Sequence, residues 1–322
     1  MRAVVCTELG PVENLVVQER PSPTCGPTDV RIAVAACGVN YVEGLMIQGL
    51  YQIKIPAPFV PGMEIVGRVT EVGEQVTTRS VGQRVFADVG IGGYVSEAVV
   101  PADRTIGLPD ALTDGQAATF MQSYLTGWFA LHERARVQPG QTMLVLGAGG
   151  GVGLAAVDIG TALGVRVFAA ASTHEKRQLA HHRGAEALID SSTEDVKARA
   201  RELGGGGVDV VYDPVGGELG ESCLRALGDD GNLIVIGFVG GIPRLPANQI
   251  LLRNRRVTGV DWGGWASRHP DRNQALIEEV LDLVEVGRLH PVKPHAYPLA
   301  DAARALTDLA ERRVAGKAVL LP

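Results

Sequence analysis

Five glycines among the seven residues from 147 to 153 form the clearest chemical motif of this sequence. An apolar run of strand length, residues 142–146, precedes them, and residues 154–164 place their apolar side chains on one face of a helix. Glycines let the backbone approach a pyrophosphate closely, and the start of the helix offers unpaired N–H groups and a partial positive charge. The pattern therefore predicts the phosphate-binding turn of a dinucleotide fold, with Gly150, Gly151 and Val152 as ligands.

The end of the next apolar run bears on which dinucleotide is bound. Folds that prefer NAD place an acidic residue about 20 residues after the glycines, where it holds the ribose 2′-hydroxyl. Counted from Gly153, that position falls near Ser172, and Lys176 and Arg177 follow one helical turn later. A hydroxyl group followed by cations suits a 2′-phosphate, so we expect NADPH, with Ser172 and Lys176 as ligands. The alternative is a solvated first turn of a helix, and Glu175 lies in the same segment.

Composition and charge limit the possible classes of function. The chain has 322 residues, enough for two domains, and its formal net charge of −6 gives no electrostatic basis for binding nucleic acid or an anionic membrane. The first residues lack the pattern of a signal peptide, and no apolar run is long enough to span a bilayer. We therefore expect a cytoplasmic protein. Its four cysteines are scattered and show no paired spacing, so we expect reduced thiols and no disulfides.

Two regions of different pattern follow one another along the chain. Short β-branched runs separated by turn residues, at 29–36, 65–72, 82–87 and 94–100, predict a compact, mostly β domain first. From about residue 120, strands and helices alternate, which predicts an α/β fold with a doubly wound parallel sheet. Ligands of such a sheet lie at the carboxyl ends of its strands, where we place the glycine turn, Ser172, Asp213 and Gly237.

Short segments spread over almost the whole chain match one enzyme family in order and spacing. They are residues 37–43, 48–51, 58–67, 81–85, 212–217, 259–263 and 316–320, together with the glycine turn. With them the chain resembles the zinc-independent quinone oxidoreductases, the zeta-crystallin-like branch of the medium-chain dehydrogenase/reductase superfamily. The resemblance implies a GroES-like β-rich catalytic domain formed by residues 1–122 and 266–322, a Rossmann NADPH-binding domain at 123–265, and a homodimer.

The positions of zinc ligands in this superfamily hold other residues here. Zinc alcohol dehydrogenases carry a Cys where this chain has Asn40, a His where it has Met63, and a cluster of four cysteines beyond the equivalent of Val85. Catalytic zinc needs three converging N, S or O ligands from the protein, so we expect no metal. Cys37 is then expected to be a small buried residue, and Glu64 a buried, paired carboxylate.

The resemblance also implies the site residues. It places Asn40 beside the nicotinamide and the substrate, in both catalysis and cofactor binding. Tyr41 and Tyr51 are the nearest phenols on the same loop, and each is a candidate hydrogen-bond or proton donor to the acceptor. The alternative for Tyr51 is packing at the pocket wall. Glu43 either orients neighbouring groups or lies in a solvated first turn. The other implied cofactor contacts are Thr126 at the nicotinamide ribose or ring, Phe238, Trp262 and Gly263 at the nicotinamide end, and Lys317 at a phosphate.

Without zinc to polarise a carbonyl, the predicted chemistry is hydride transfer from NADPH to an electron-poor conjugated acceptor. We expect an NADPH:quinone oxidoreductase, or an enzyme that reduces related conjugated carbonyl compounds, and a small molecule as its partner. Two alternatives remain open. One is a reductase of the double bond in 2-alkenals or enoyl thioesters. The other is an NADPH-binding sensor or scaffold with little turnover, which Leu45 favours because some relatives carry a Tyr there.

Overall fold

The computed structural model describes residues 1–322, which form two compact units: Met1–Met121 with Val292–Pro322, and Gln122–Pro291. The helices are α1 (Tyr41–Ile47), α2 (Asp114–Trp128), α3 (Gly151–Ala162), α4 (His174–His182), α5 (Val196–Leu203), α6 (Gly217–Cys223), α7 (Ala247–Leu251), α8 (Trp262–Arg268), α9 (Pro270–Glu285) and α10 (Ala302–Ala310). The strands are β1 (Arg2–Cys6), β2 (Leu15–Glu19), β3 (Asp29–Val39), β4 (Glu64–Val72), β5 (Arg84–Asp88), β6 (Glu97–Pro101), β7 (Thr105–Gly107), β8 (Thr142–Val145), β9 (Arg166–Ala171), β10 (Ala187–Asp190), β11 (Val208–Asp213), β12 (Leu227–Val235), β13 (Arg256–Gly259), β14 (His295–Pro298) and β15 (Ala318–Leu321).

The first unit contains the mostly β domain that the sequence predicts. Its large sheet has the order β14-β15-β3-β4-β5-β7, and β6 also pairs with β3, while β1 and β2 form a separate antiparallel pair. Strand β3 is buried at alternate positions from Val30 to Ala36, with the period of two of a half-buried strand, and at every position from Ala36 to Val39. The expected return of the C-terminal segment is confirmed, since β15 pairs antiparallel with β3, with Ala318 opposite Val39.

The second unit is a Rossmann fold. Its six strands have the order β10-β9-β8-β11-β12-β13, and every neighbouring pair is parallel. In sequence order this is the 3-2-1-4-5-6 arrangement of dinucleotide-binding sheets, so the predicted fold class is confirmed. Helix α3 begins at Gly151, three residues before the predicted start at 154, because the first residues of a helix need no acceptor within it and even glycine is accommodated there.

The second boundary between the units differs from the one that the sequence predicts. Residues 266–291 lie in the second unit, whereas the sequence interpretation assigned everything from 266 onward to the first domain. Side-chain hydrogen bonds attach α9 to this unit: Trp128 Nε1 donates to Glu279 Oε2, and Trp262 Nε1 donates to Asn273 Oδ1, both at 3.0 Å. The chain therefore leaves the second unit after α9. None of the helices has the combination of length and apolar character that crossing a membrane requires.

Candidate active site

The turn after β8 leaves the amino end of α3 open. Gly150 is the N-cap residue and provides no side-chain cap, and the first bond inside the helix runs from the amide of Leu154 to the carbonyl of Gly150, at 2.8 Å. The amides of Gly151, Val152 and Gly153 consequently have no acceptor within the 12-residue helix. Unpaired amides at the positive end of a helix dipole form a binding site for an anion such as phosphate.

Two glycines of the same turn are required by close packing. A Cβ atom at Gly149 would overlap the aliphatic stem of Lys176, and a Cβ at Gly153 would overlap the carbonyl oxygen of Gly147. Gly147 itself has a φ of +58°, in the left-handed region that favours glycine. The turn therefore fits the pyrophosphate of a dinucleotide, because both the backbone conformation and the close helix–turn contact depend on glycine.

The two cations that follow β9, Lys176 and Arg177, have different surroundings. Lys176 is buried, with its stem against Gly149, and its amide donates to Thr173 Oγ1 at 3.3 Å, which caps α4. Arg177 forms an ion pair with Asp190, with Nη1 and Oδ2 2.9 Å apart, so its guanidinium is already engaged within the unit. Ser172 is exposed at the end of β9. The assignment of Ser172 and Lys176 to a 2′-phosphate stays a prediction.

Asp213 ends β11 and shapes the turn that follows it. Its Oδ1 accepts hydrogen bonds from the amides of Val215 and Gly216, each at 2.8 Å. Burial raises the pKa of this carboxyl, although the two amides act in the opposite direction. Gly220 packs so closely that a Cβ there would overlap the other carboxylate oxygen. The carboxylate of Asp213 is therefore occupied in building the turn at the edge of the sheet.

The other predicted cofactor contacts of this unit come from α2 and from the chain after the last two strands. Gly237 and the exposed Phe238 follow β12, whereas Trp262 and Gly263 begin α8, shortly after β13. Because all the strands are parallel, these residues share the carboxyl edge of the sheet with the glycine turn. Thr126 is half-buried in α2.

A second set of functional residues is buried in the first unit. Asn40 precedes α1, Glu43 lies in its first turn, Glu64 begins β4, and Lys317 immediately precedes β15. Tyr94 lies between β5 and β6 and is fully buried. None of the five residues is more than 7% exposed, so their polar groups depend on neighbouring protein groups for hydrogen bonds.

The Asn40 side chain is held on both sides. Its Nδ2 donates to Glu64 Oε1 at 2.9 Å, and its Oδ1 accepts a hydrogen bond from Lys317 Nζ. Lys317 Nζ also lies 3.9 Å from Glu64 Oε1, which makes an ion pair. The expectation that Glu64 is a buried, paired carboxylate is confirmed. The resemblance implies a phosphate contact for Lys317. In the structure its ammonium is buried, where it donates to Asn40 Oδ1 and the Glu64 carboxylate compensates its charge.

Glu43 is the most enclosed carboxylate of this cluster. It accepts hydrogen bonds from the backbone amide of Asn40 at 2.6 Å, from the hydroxyl of Tyr94 at 2.8 Å and from the backbone amide of Met63 at 3.2 Å. Burial raises the pKa of Glu43 to about 7, and burial also lowers the pKa of the Lys317 ammonium. The interpretation of Glu43 as part of a solvated first turn is wrong, because its side chain is fully buried and orients its neighbours.

The two phenols proposed as donors lie near this cluster in sequence but are not part of it. Tyr41 is the first residue of α1 and is 39% exposed, and Tyr51 follows α1 and is half-buried. The Tyr51 backbone amide donates to the Leu45 carbonyl at 3.1 Å, which fixes the chain after the helix. The structure thus brings Asn40 and Lys317 together, and it leaves the Tyr41 and Tyr51 hydroxyls outside their network.

Sequence reasoning missed the role of Tyr94 and understated that of Glu43. The Asn40-to-Glu43 spacing was a usable signal, because a polar N-cap residue followed three residues later by Glu is typical of a capping box. Tyr94 carries no such local signal, since it reaches Glu43 from a position 51 residues away in the chain.

The chain contains no group of three or more His, Cys, Asp and Glu side chains arranged to hold a metal ion. Cys37 is fully buried, as expected, and burial raises the pKa of its thiol to about 12. The polar network beside it joins the Asn40 amide, the Glu64 carboxylate and the Lys317 ammonium to one another, while the Glu43 carboxylate accepts from the Tyr94 hydroxyl and from two backbone amides.

Comparison with known proteins agrees with this architecture. Residues 26–110 match the model of the alcohol dehydrogenase GroES-like domain, and residues 151–284 match the model described as zinc-binding dehydrogenase. The quinone oxidoreductase-like protein 2 homolog of Nematostella vectensis is 37% identical over 325 residues, which cover 99% of this chain and 88% of the relative. The chain belongs to the zinc-independent quinone oxidoreductase branch of the medium-chain dehydrogenase/reductase superfamily.

Solved structures extend this comparison to the whole fold of the family. The Escherichia coli quinone oxidoreductase, solved in complex with NADPH, is 28% identical with a TM-score of 0.90, and the match covers 100% of both chains. The CurF ER cyclopropanase from the curacin A biosynthetic pathway is 27% identical with a TM-score of 0.89, over 99% of this chain and 98% of that one. This chain is thus a medium-chain oxidoreductase with the family's two-unit organisation.

Proposed function

We propose that this protein uses NADPH to reduce quinones or related conjugated carbonyl compounds. The observation that carries the proposal is the contact between Gly149 and the Lys176 stem, which fixes a buried lysine beside the phosphate-binding turn. A cation four residues after the exposed Ser172 suits a 2′-phosphate, which NADPH has and NADH lacks. The NADPH complex of the Escherichia coli quinone oxidoreductase, with a similar fold, supports this choice of cofactor and acceptor.

The predicted cofactor contacts of the second unit have the following roles in this proposal. The amides of Gly151 and Val152, at the open end of α3, bind the pyrophosphate, and Ser172 and Lys176 bind the 2′-phosphate. At the carboxyl edge of the sheet the site is completed by Gly150, Gly237, Phe238, Trp262 and Gly263. Asp213 acts there through the turn that its carboxylate holds, and Thr126 contributes from α2. When bound, NADPH supplies a hydride.

The acceptor also needs a proton or a hydrogen bond at the oxygen where negative charge develops. We assign that role to the hydroxyl of Tyr41 or Tyr51, since neither hydroxyl is committed to the buried network of the first unit. Asn40 is the residue of this network that the proposal places beside the nicotinamide.

The proposal is tested by following cofactor oxidation by the purified protein, with NADPH beside NADH, against a quinone, a 2-alkenal and an enoyl-CoA. Rapid oxidation of NADPH with the quinone, and slow oxidation of NADH, is the expected result. Equal rates with NADH would overturn the assignment of Ser172 and Lys176 to a 2′-phosphate. Binding of NADPH without turnover of any acceptor would favour a sensor or scaffold instead.

Reduction of a carbon–carbon double bond in an enoyl thioester is the second candidate. The structural similarity to the CurF ER cyclopropanase supports it, because that protein of the curacin A biosynthetic pathway has the same fold. A preference for the enoyl-CoA over the quinone in the same assay selects this candidate without changing the cofactor assignment.

A further inference from the structure

Arg255 is a buried cation that has no carboxylate as its partner. It immediately precedes β13 and is 7% exposed. Its Nη1 donates to the carbonyl of Gln249 at 3.0 Å and its Nη2 to the carbonyl of Leu227 at 2.9 Å, whereas its buried Nε–H donates to no group of the protein. Because neutral carbonyls do not compensate a full charge, the surroundings of Arg255 favour a bound anion.

Three more guanidinium groups belong to the same region, around residues 225–230, which lead into β12. Arg201, near the end of α5, donates from Nη1 to the carbonyl of Arg225 at 3.1 Å. Arg253 Nη1 lies 3.4 Å from Asp229 Oδ1, and the exposed side chain of Arg225 is the third group. We call the following four residues the arginine cluster: Arg201, Arg225, Arg253 and Arg255.

The positive charge of the arginine cluster exceeds the negative charge beside it. Burial lowers the pKa of Arg255, and the other three guanidinium groups lower it further, whereas Asp229 raises it. Asp229 is exposed and already paired with Arg253. Glu202, which follows the first arginine of the cluster in the chain, is paired with Arg199, with Oε2 and Nη1 2.6 Å apart. An anion with more than one negative charge therefore suits these four cations.

The backbone before Arg255 has a conformation that glycine prefers. Arg253 has a φ of +66° and Asn254 a φ of +52°, both in the left-handed region. A residue with a Cβ atom is disfavoured there, yet position 253 holds an arginine. With this turn of the chain, Arg253 reaches Asp229 while Arg255 reaches the carbonyl of Leu227.

We propose that the arginine cluster binds a diphosphate group, either as the free ion or as an ester. Guanidinium groups match phosphate oxygens in a two-pronged geometry, and a diphosphate carries several charges. The cluster lies at the amino ends of β12 and β13, whereas the glycine turn follows the carboxyl end of β8, so the two sites are at opposite edges of the sheet. The site is therefore independent of the proposed function. An extended polyanion suits it less, because the chain has a net charge of −6.

Titration calorimetry with pyrophosphate, at constant ionic strength, tests for this site. Arg225→Gln should raise the dissociation constant about 5- to 10-fold, as for one charged hydrogen bond at an exposed position. Arg288→Gln is the matched control, because Arg288 is an exposed arginine of the same unit that donates to the carbonyl of Ala162, outside the cluster. The control should bind pyrophosphate with the affinity of the wild type.

Asp229→Asn should have the opposite effect. The substitution removes the carboxylate beside the cluster and releases Arg253, so pyrophosphate should bind about 2- to 5-fold more tightly, as for one exposed charge. A merely structural role of Asp229 would weaken binding or leave it unchanged, which would count against the site.

ADP in place of pyrophosphate distinguishes an esterified from a free diphosphate. Because the glycine turn is expected to bind ADP as well, the contribution of the cluster is the loss in Arg225→Gln relative to Arg288→Gln. A loss with both probes assigns the diphosphate group itself, and a loss with one probe assigns the free or the esterified form. A loss with neither probe would overturn the proposal.

A second copy of this chain is the alternative source of the anion. In that case the wild type would bind neither probe, and Arg225→Gln would lower the mass measured by analytical ultracentrifugation. This outcome would also overturn the proposal, because a carboxylate of the other copy would then be the counterion of Arg255.

Discussion

Replacing Glu43 by Gln should change how the stability of the protein depends on pH. The pKa of Glu43 is raised from the ordinary value of 4.5 to about 7 because the carboxylate is buried. A group with a raised pKa stabilises the folded state below its unfolded pKa, and that contribution is lost as the pH rises through the folded pKa. Between about pH 5 and pH 8 the loss integrates to about 2–3 kcal/mol, since one pKa unit corresponds to about 1.4 kcal/mol.

The assay is urea unfolding of the wild type and of Glu43→Gln at about pH 5, 6, 7 and 8, with the free energy of unfolding extrapolated to water. The stability of the wild type relative to the variant should fall by about 2–3 kcal/mol across this range. Glu74→Gln is the matched control, because Glu74 is an exposed glutamate of the same unit and the substitution makes the same chemical change outside the buried network.

A difference between wild type and Glu43→Gln that stays constant with pH would refute this reasoning. It would mean that the donors around the carboxylate, from Asn40, Met63 and Tyr94, offset the effect of burial, so that the pKa of Glu43 is the same in the folded and unfolded states. A difference that grows with pH in favour of the wild type would refute it more strongly, because the folded pKa would then lie below the unfolded one.

Three further substitutions probe the two sites. Lys176→Ala should weaken NADPH binding about 10- to 100-fold, as for loss of a charged hydrogen bond, and leave NADH nearly unchanged; equal losses in fluorescence titrations would remove Lys176 from the 2′-phosphate site. Gly149→Ala should weaken NADPH binding more than NADH binding, because its methyl group displaces the stem of Lys176; equal losses of the two cofactors would show that the substitution acts on the turn and not through Lys176. Tyr94→Phe should lower the free energy of unfolding at neutral pH by about 1–3 kcal/mol, because Glu43 loses a donor; an unchanged urea midpoint would show that this hydrogen bond contributes nothing.

The nucleotide-binding unit was largely predictable from the sequence because its signals are local. The residues from Thr142 to Gly153 contain a strand, a turn and the start of a helix in one continuous segment. The end of this unit was not predictable in the same way. The helical period of α9 shows that it has a buried face but does not show which unit it packs against.

The Asn40 network was predictable only in part. Asn40 and Glu43 are three residues apart, so a local capping pattern connects them, and the resemblance pointed to Asn40 directly. Lys317 lies 277 residues from Asn40, and no periodicity connects two such positions. Its pairing with Glu64 depends on the register in which β15 joins β3, a tertiary feature that the sequence pattern does not encode locally.

The position of β15 also has a consequence for synthesis of the protein on the ribosome. The first unit combines residues 1–121 with residues 292–322, so the whole second unit is translated before β15 and Lys317 emerge. The second unit is continuous in sequence and can fold during translation. Strand β3, in contrast, pairs with β15 only after the last residues have been translated. Until then Asn40 and Glu64 lack their common cation.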